Sequence, residues 1–185
     1  MAANQEDPSF QRQADYHFRQ ARKLALRDRL SHWFSGRDGQ NLLPFEVIHA
    51  ALREKEPRSQ GLQQVPIDKI AGSVSRYDDF TRQFLPLKEH LRERWVKVES
   101  YAMRHGWPPV ELYQVGDVYF VSDGNHRVAV ARQMDYDTIE AYVWCFPEAV
   151  EIDPAESLEE VLLRLEERRF MEKTGLQERH PDHEP

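Results

Sequence analysis

The residues best suited to chemistry stand together at Asp123, Gly124, Asn125, His126 and Arg127. Glycine permits a sharp turn and lets a ligand approach the backbone closely. A helix starting at Asn125 presents unpaired backbone N–H groups and the positive end of its dipole at the same spot. Arg127 brings a planar guanidinium suited to bidentate phosphate contact, and His126 can donate to a phosphoryl oxygen or carry a proton. Two roles are open to Asp123: it can cap the helix, or it can orient His126, Arg127 or a bound Mg2+. Turn, helix N-terminus and basic side chains together describe a phosphate cradle. The structural alternative is an ordinary Gly-Asn turn before a helix.

A cradle of this kind needs a strand to deliver the chain to Gly124 and a helix to carry it away. The alternation of Val118 and Phe120 predicts a strand over 117–122, and the Ala-rich run that follows predicts a helix over 125–134. Upstream, 62–70 reads as a strand and 71–80 as an irregular loop. A helix over 87–105 follows, ended by Gly106 and barred from continuing by Pro108 and Pro109. Residues 110–113 pair with 117–122 as a hairpin around Gly116. Downstream, 138–145 reads as a strand, Pro147 and Pro154 bracket an acidic connector, and 156–173 reads as a helix with Leu158, Val161, Leu162 and Leu165 as its apolar stripe.

Ahead of this core, 9–34 has helical periodicity through Phe10, Ala14, Phe18, Ala21, Leu24, Ala25 and Leu30, and a second helix follows Pro44. The polar run 54–64 reads as a link. The expected organisation is a helical extension over 1–61, a main domain over 62–146, a connector and C-terminal helix over 147–176, and a disordered tail over 177–185. The fold class is α+β: a small mixed sheet with helices, flanked by the N-terminal helices and the C-terminal one.

Composition bounds the partners. The chain has 185 residues, 31% of them charged, and a net charge of −7, with a mean hydropathy of −0.75. No apolar run approaches the ~18 residues of a membrane span, and the polar N-terminus is unlike a secretory signal. A lone cysteine, Cys145, excludes an internal disulfide and any multi-cysteine metal site. A cytoplasmic protein is expected. The negative balance argues against broad nucleic-acid binding, but Arg19, Arg22, Lys23, Arg27 and Arg29 cluster against Asp28 alone. That cluster is either the solvated face of a helix or a contact for nucleic acid or an acidic partner. Trp95, Trp107, Trp144 and Cys145 are read as packing residues, and no metal ligand set is assigned.

The stretch from Asp123 to Arg127, the Ala-rich helix and the strand from Thr138 to Val143 resemble the ParB/sulfiredoxin-type domain. Val65 to Ile70 is similar to that domain's opening strand, and Trp107 to Tyr113 to its passage into the second strand. The resemblance covers roughly residues 62–145. It implies a nucleotide, ATP or CTP with Mg2+, whose phosphates lie at Gly124–Arg127. It also implies that the loop after the first strand faces the phosphates, which brings forward Ser75 and Arg76 as phosphate contacts and Asp78 or Asp79 as catalytic acid–base groups beside His126. The alternative for that loop is a charged surface segment anchored by Tyr77 and Phe80. Sulfiredoxins place a catalytic cysteine where this chain has Asn125, so sulfinic-acid reduction is not expected. Partitioning ParB proteins carry Gly-Glu-Arg-Arg at this motif and a downstream DNA-reading helical domain, which has no counterpart here. The Asp-Gly-x-His-Arg pattern also resembles free-serine kinases of the same fold, so hydrolysis or transfer of a phosphoryl group is the first expectation. A noncatalytic DNA-associated or regulatory module of partition type is the alternative. A nuclease is the weakest reading, because no multi-carboxylate cluster is visible. A protein partner and the oligomeric state are left open.

Overall fold

The motif strand, apolar from Val118 to Val121, lies near the centre of the sheet. The computed structural model describes residues 8–35, 41–52, 56–147 and 151–174. In chain order it has α1 (Pro8–Ser35), β1 (Leu43–Pro44), α2 (Phe45–Ala51), β2 (Arg58–Pro66), β3 (Ile70–Ser73), α3 (Arg92–His105), β4 (Val110–Val115), β5 (Val118–Asp123), α4 (Asn125–Gln133), β6 (Thr138–Phe146) and α5 (Leu158–Thr174). Short 3-10 turns at Ile67–Lys69 and Glu89–Leu91 precede β3 and α3. The six strands form one mixed sheet in the order β1-β3-β5-β4-β6-β2. β3 runs parallel to β1 and β5, β4 is parallel to β6, and the β5–β4 and β6–β2 pairs are antiparallel.

Successive strand side chains point to opposite faces, so each central strand feeds two cores. Val121, Val110, Leu112, Ile139, Ala141 and Val143 pack on one face beneath α1, α3 and α4, with Phe18, Trp95 and Val128. Val118, Phe120, Val115 and Phe146 face the other way, under Phe45 and Ile48 of α2 and Val161 and Leu165 of α5. The architecture is therefore α+β, with five helices among the described residues covering both faces of the sheet.

Most expected elements are present, with three differences of physical origin. From Arg58 onward the polar run taken as a link is instead strand, the greater part of β2, paired with β6. Its polarity reflects its place at the open edge of the sheet, where most of its side chains meet solvent. The strand expected over 62–70 ends at Pro66; the chain turns and starts a separate strand, β3, at Ile70, which runs on through Ser73 into the stretch expected to be an irregular loop. The boundary expected at 61/62 thus falls inside β2, and β1, α2 and α5 pack on the same sheet as the motif. In α1 the apolar stripe follows Ala14, Phe18, Ala21 and Ala25, while Leu24 and Leu30 lie exposed. The tail 177–185 lies outside the described residues.

α1 and α3 are joined by a buried carboxylate. Glu99 is fully buried and accepts from Trp95 Nε1 at 2.8 Å, and it also pairs with His17 Nδ1 of α1. Removing the carboxylate leaves a buried indole N–H without an acceptor, while the part-exposed His17 can find water. Glu99→Ala is therefore expected to destabilise the protein by about 1–3 kcal/mol, with Glu99→Gln losing less because the Trp95 acceptor survives. Urea unfolding of the two variants checks this ordering.

Candidate functional site

The site is built where β5 meets α4. Gly124 carries the chain across that junction at φ 110 and ψ 21, left-handed backbone that disfavours any residue with a Cβ. A Cβ here would also lie 2.6 Å from Val110 Cγ1. No side chain caps α4, whose turn opens with the Val128 N–H donating to Gly124 O at 3.0 Å. The capping role open to Asp123 is not taken up: its carboxylate pairs with Arg127.

Arg127 is largely committed to structure. Nη1 donates to the carbonyls of Pro108 (2.9 Å) and Pro109 (2.6 Å), and Nη2 pairs with Asp123. This clamp fixes the start of α4 against the approach to β4. The two residues between Gly124 and the clamp are unpartnered at one atom each. Asn125 is buried, at 7% exposure, and its Oδ1 has no hydrogen-bond partner. His126 lies beside the Leu91 backbone, and its buried Nε2 has no partner either. A neutral imidazole with its proton on Nδ1 would present a lone pair at Nε2. Burial, then the positive charges of Arg76 and Arg94, push the His126 pKa down to about 4. Phe80 meets the ring edge-on at 5.5 Å and holds its plane.

These groups line a cleft of about 450 Å3 with Ser75, Arg76, Ser122, His90 and Arg94. The structure thus brings Ser75, Arg76, Asp123, Gly124, Asn125, His126 and Arg127 together. β3 supplies the far wall: the buried Ser73 Oγ donates to Val121 O at 3.3 Å and accepts from the Arg76 N–H at 3.3 Å, ordering the turn that carries Ser75 and Arg76. Asp78 and Asp79 do not line the cleft. Asp79 is buried between Arg76 (2.9 Å) and Lys88 (2.8 Å); burial pushes its carboxyl up, but those two hydrogen bonds prevail and hold it below the usual range. It serves as the anchor of Arg76. Asp78 is exposed and lines a separate groove beside α5.

Arg94 and His90, from α3 and the turn before it, are site residues that no sequence motif marks. Arg94 is exposed and makes no ion pair among the described residues. With Val98 and Arg127 it also lines a second cleft, of about 440 Å3, bounded by Tyr101, Arg104 and Trp107. The buried Ser100 Oγ at that wall has no partner either. Neither cleft shares its cationic lining with more than one carboxylate, that of Asp123, in a chain of net charge −7.

No protein-family model, curated protein or solved structure matches this chain.

Two outcomes follow from this geometry. Gly124→Ala is expected to destabilise by about 1–3 kcal/mol through overpacking against Val110 and left-handed strain, read as a lower melting temperature, whereas Ser122→Ala leaves it close to unchanged. Second, the unfolded chain takes up a proton at the ordinary imidazole value of 6.5 that native His126 resists until about 4. Stability therefore falls as pH drops from 6.5 toward 4, by up to about 3 kcal/mol from this group. Urea unfolding across that window is expected to show a shallower slope for His126→Gln; equal slopes for the two proteins would refute the assignment.

Proposed function

We propose that the cleft at Gly124–Arg127 holds the phosphate chain of a nucleotide, ATP or CTP, in a domain of the ParB/sulfiredoxin type. The observation that carries this reading is the uncapped N-terminus of α4 with the buried, unpartnered Asn125 Oδ1 beside it. Backbone N–H groups and the helix dipole favour an anion there, and Arg76 and Arg94 add charge from two sides. The adjoining cleft suits a planar base, with Tyr101 and Trp107 for contact and Ser100 Oγ as a hydrogen-bonding group.

Two acceptors, Asn125 Oδ1 and the lone pair of His126 Nε2, call for donors on an otherwise anionic ligand. Mg2+ carried by phosphate fits this requirement, because it keeps several waters and those waters donate. The described residues contain no group of three or more His, Cys, Asp or Glu that could hold a metal by themselves, so the ion would arrive with the nucleotide.

With Asp79 engaged and Asp78 outside the cleft, the proton-accepting role falls to His126. Nε2 takes the proton of an attacking hydroxyl or water as its oxygen bonds to the terminal phosphorus. The bond from that phosphorus to the bridging oxygen breaks, and the diphosphate leaves. The depressed pKa keeps Nε2 unprotonated at neutral pH in the free protein, and the negative charge of bound phosphates would raise its basicity toward that of a useful base.

Calorimetric titration of ATP, ADP and CTP with Mg2+ tests binding. Arg94→Ala is the informative control, since Arg94 has no hydrogen-bond or ion-pair partner among the described residues whereas Arg127→Ala would also release Pro108 and Pro109. A loss of about tenfold in affinity is expected for Arg94→Ala. A folded wild-type protein that binds none of the three sinks the reading. Binding with no phosphate release or transfer, in wild type and His126→Gln alike, favours the noncatalytic partition-type module.

A further inference from the structure

α1 is far longer than the surface it covers. Its 28 residues extend about 42 Å, twice the length of the 14-residue α3 on which it packs. Among residues whose side chains are described, its last buried one is Ala25. Beyond that point Leu26 and Leu30 are 47% and 55% exposed. Around them Lys23, Arg27 and Arg29 are exposed and make no ion pair among the described residues, unlike Arg19 and Arg22, which pair with Asp15 and Glu89. From Leu26 to Ser31 the described side chains of α1 thus form a largely exposed, basic, leucine-bearing stretch.

The opposite chemistry lies beside α5. A groove of about 700 Å3 is lined by Leu158, Leu162 and Leu163 together with Asp78, Glu159 and Glu166. Its one cation, Arg82, is buried and spends its guanidinium on the carbonyls of Asn41 (3.0 Å), Pro154 (2.8 Å) and Glu156 (2.9 Å). Among the described residues the accessible charge lining the groove is therefore negative. Within one copy no α1 side chain among the described residues lines the groove, and the terminal stretches 1–7 and 175–185 are net acidic, so they do not match it.

We propose that the distal half of α1 docks in the α5 groove of a second copy of this chain, reciprocally, to form a two-fold dimer. Leucines fill the apolar floor and Arg27 and Arg29 face Glu159 and Glu166. Placement permits the exchange: α1 ends at Ser35, and Asn41–Pro44 already line the groove. The six steps from Ser35 to Asn41 reach at most about 22 Å, so the end of α1 lies within that distance of the groove. Closed two-fold dimers are the commonest symmetric assembly, and both halves of this interface come from one sequence.

Sedimentation of the full chain over a concentration series at low salt tests this. A dimer weakened by added salt is expected. Arg27→Glu with Arg29→Glu, and separately Glu159→Lys with Glu166→Lys, are each expected to weaken it about tenfold or more. Mixing the two variants is expected to restore dimers, because each then offers what the other needs, at both contacts. Circular dichroism confirms that each variant is folded. A wild-type monomer at every concentration overturns the proposal, as does a dimer indifferent to either pair of substitutions or a mixture that fails to associate. Binding of duplex DNA through Arg27 and Arg29 by a protein that stays monomeric also overturns it.

Discussion

The crossing from β5 to α4 at Gly124 is the constraint on which the rest of the site depends. Left-handed backbone and the closeness of Val110 both demand a residue without a Cβ. Because the chain turns there, α4 starts directly at the sheet, with Asn125 and His126 facing a cleft rather than solvent. The Arg127 clamp on Pro108 and Pro109 then locks the same turn from the other side. A helix start that is usually satisfied by a capping side chain is left open, and the neighbouring carboxylate that could cap it is held by the arginine.

Charge around the cleft is divided between groups that hold the structure and groups that are left over. Asp79 is consumed between Arg76 and Lys88. Arg132 donates to the carbonyls of Ile67 and Arg82, and Arg82 ties the β1 segment to the lead into α5; burial lowers the Arg82 pKa to about 10 without discharging it at neutral pH. Buried guanidiniums of this kind are stable because backbone carbonyls replace the water they lose. Arg94 makes no ion pair among the described residues, and burial, then the fields of Arg76 and Arg94, keep His126 neutral. The cleft thus combines cationic walls with two bare acceptors on its floor, an uncommon pairing that narrows the ligands it suits.

The order of elements around the motif was legible because each rests on local rules. Gly106, at φ 67, ends α3 as its sequence position implies, and Pro108 and Pro109 prevent continuation. The β4–β5 hairpin turns at Gly116, and the alternation of Val118 and Phe120 marks a strand. Reading failed where an element draws its identity from a neighbour. β2 looks like a linker because its pairing with β6 needs backbone groups, not apolar side chains. β3 and β1 are too short to carry a periodic signal and exist through parallel pairing with β5 and each other.

The sequence by itself determined the turn, the helix start and the residues clustered there, because glycine conformation, helix termination and apolar alternation act over a few neighbours. Only the tertiary structure decided what those residues do. Arg127 spends its donors on carbonyls 18 and 19 positions away, Asp79 is neutralised by Lys88, and Arg94 arrives from another helix. Ion pairing, burial and the resulting pKa shift depend on distances through space, and no local pattern encodes which charge meets which.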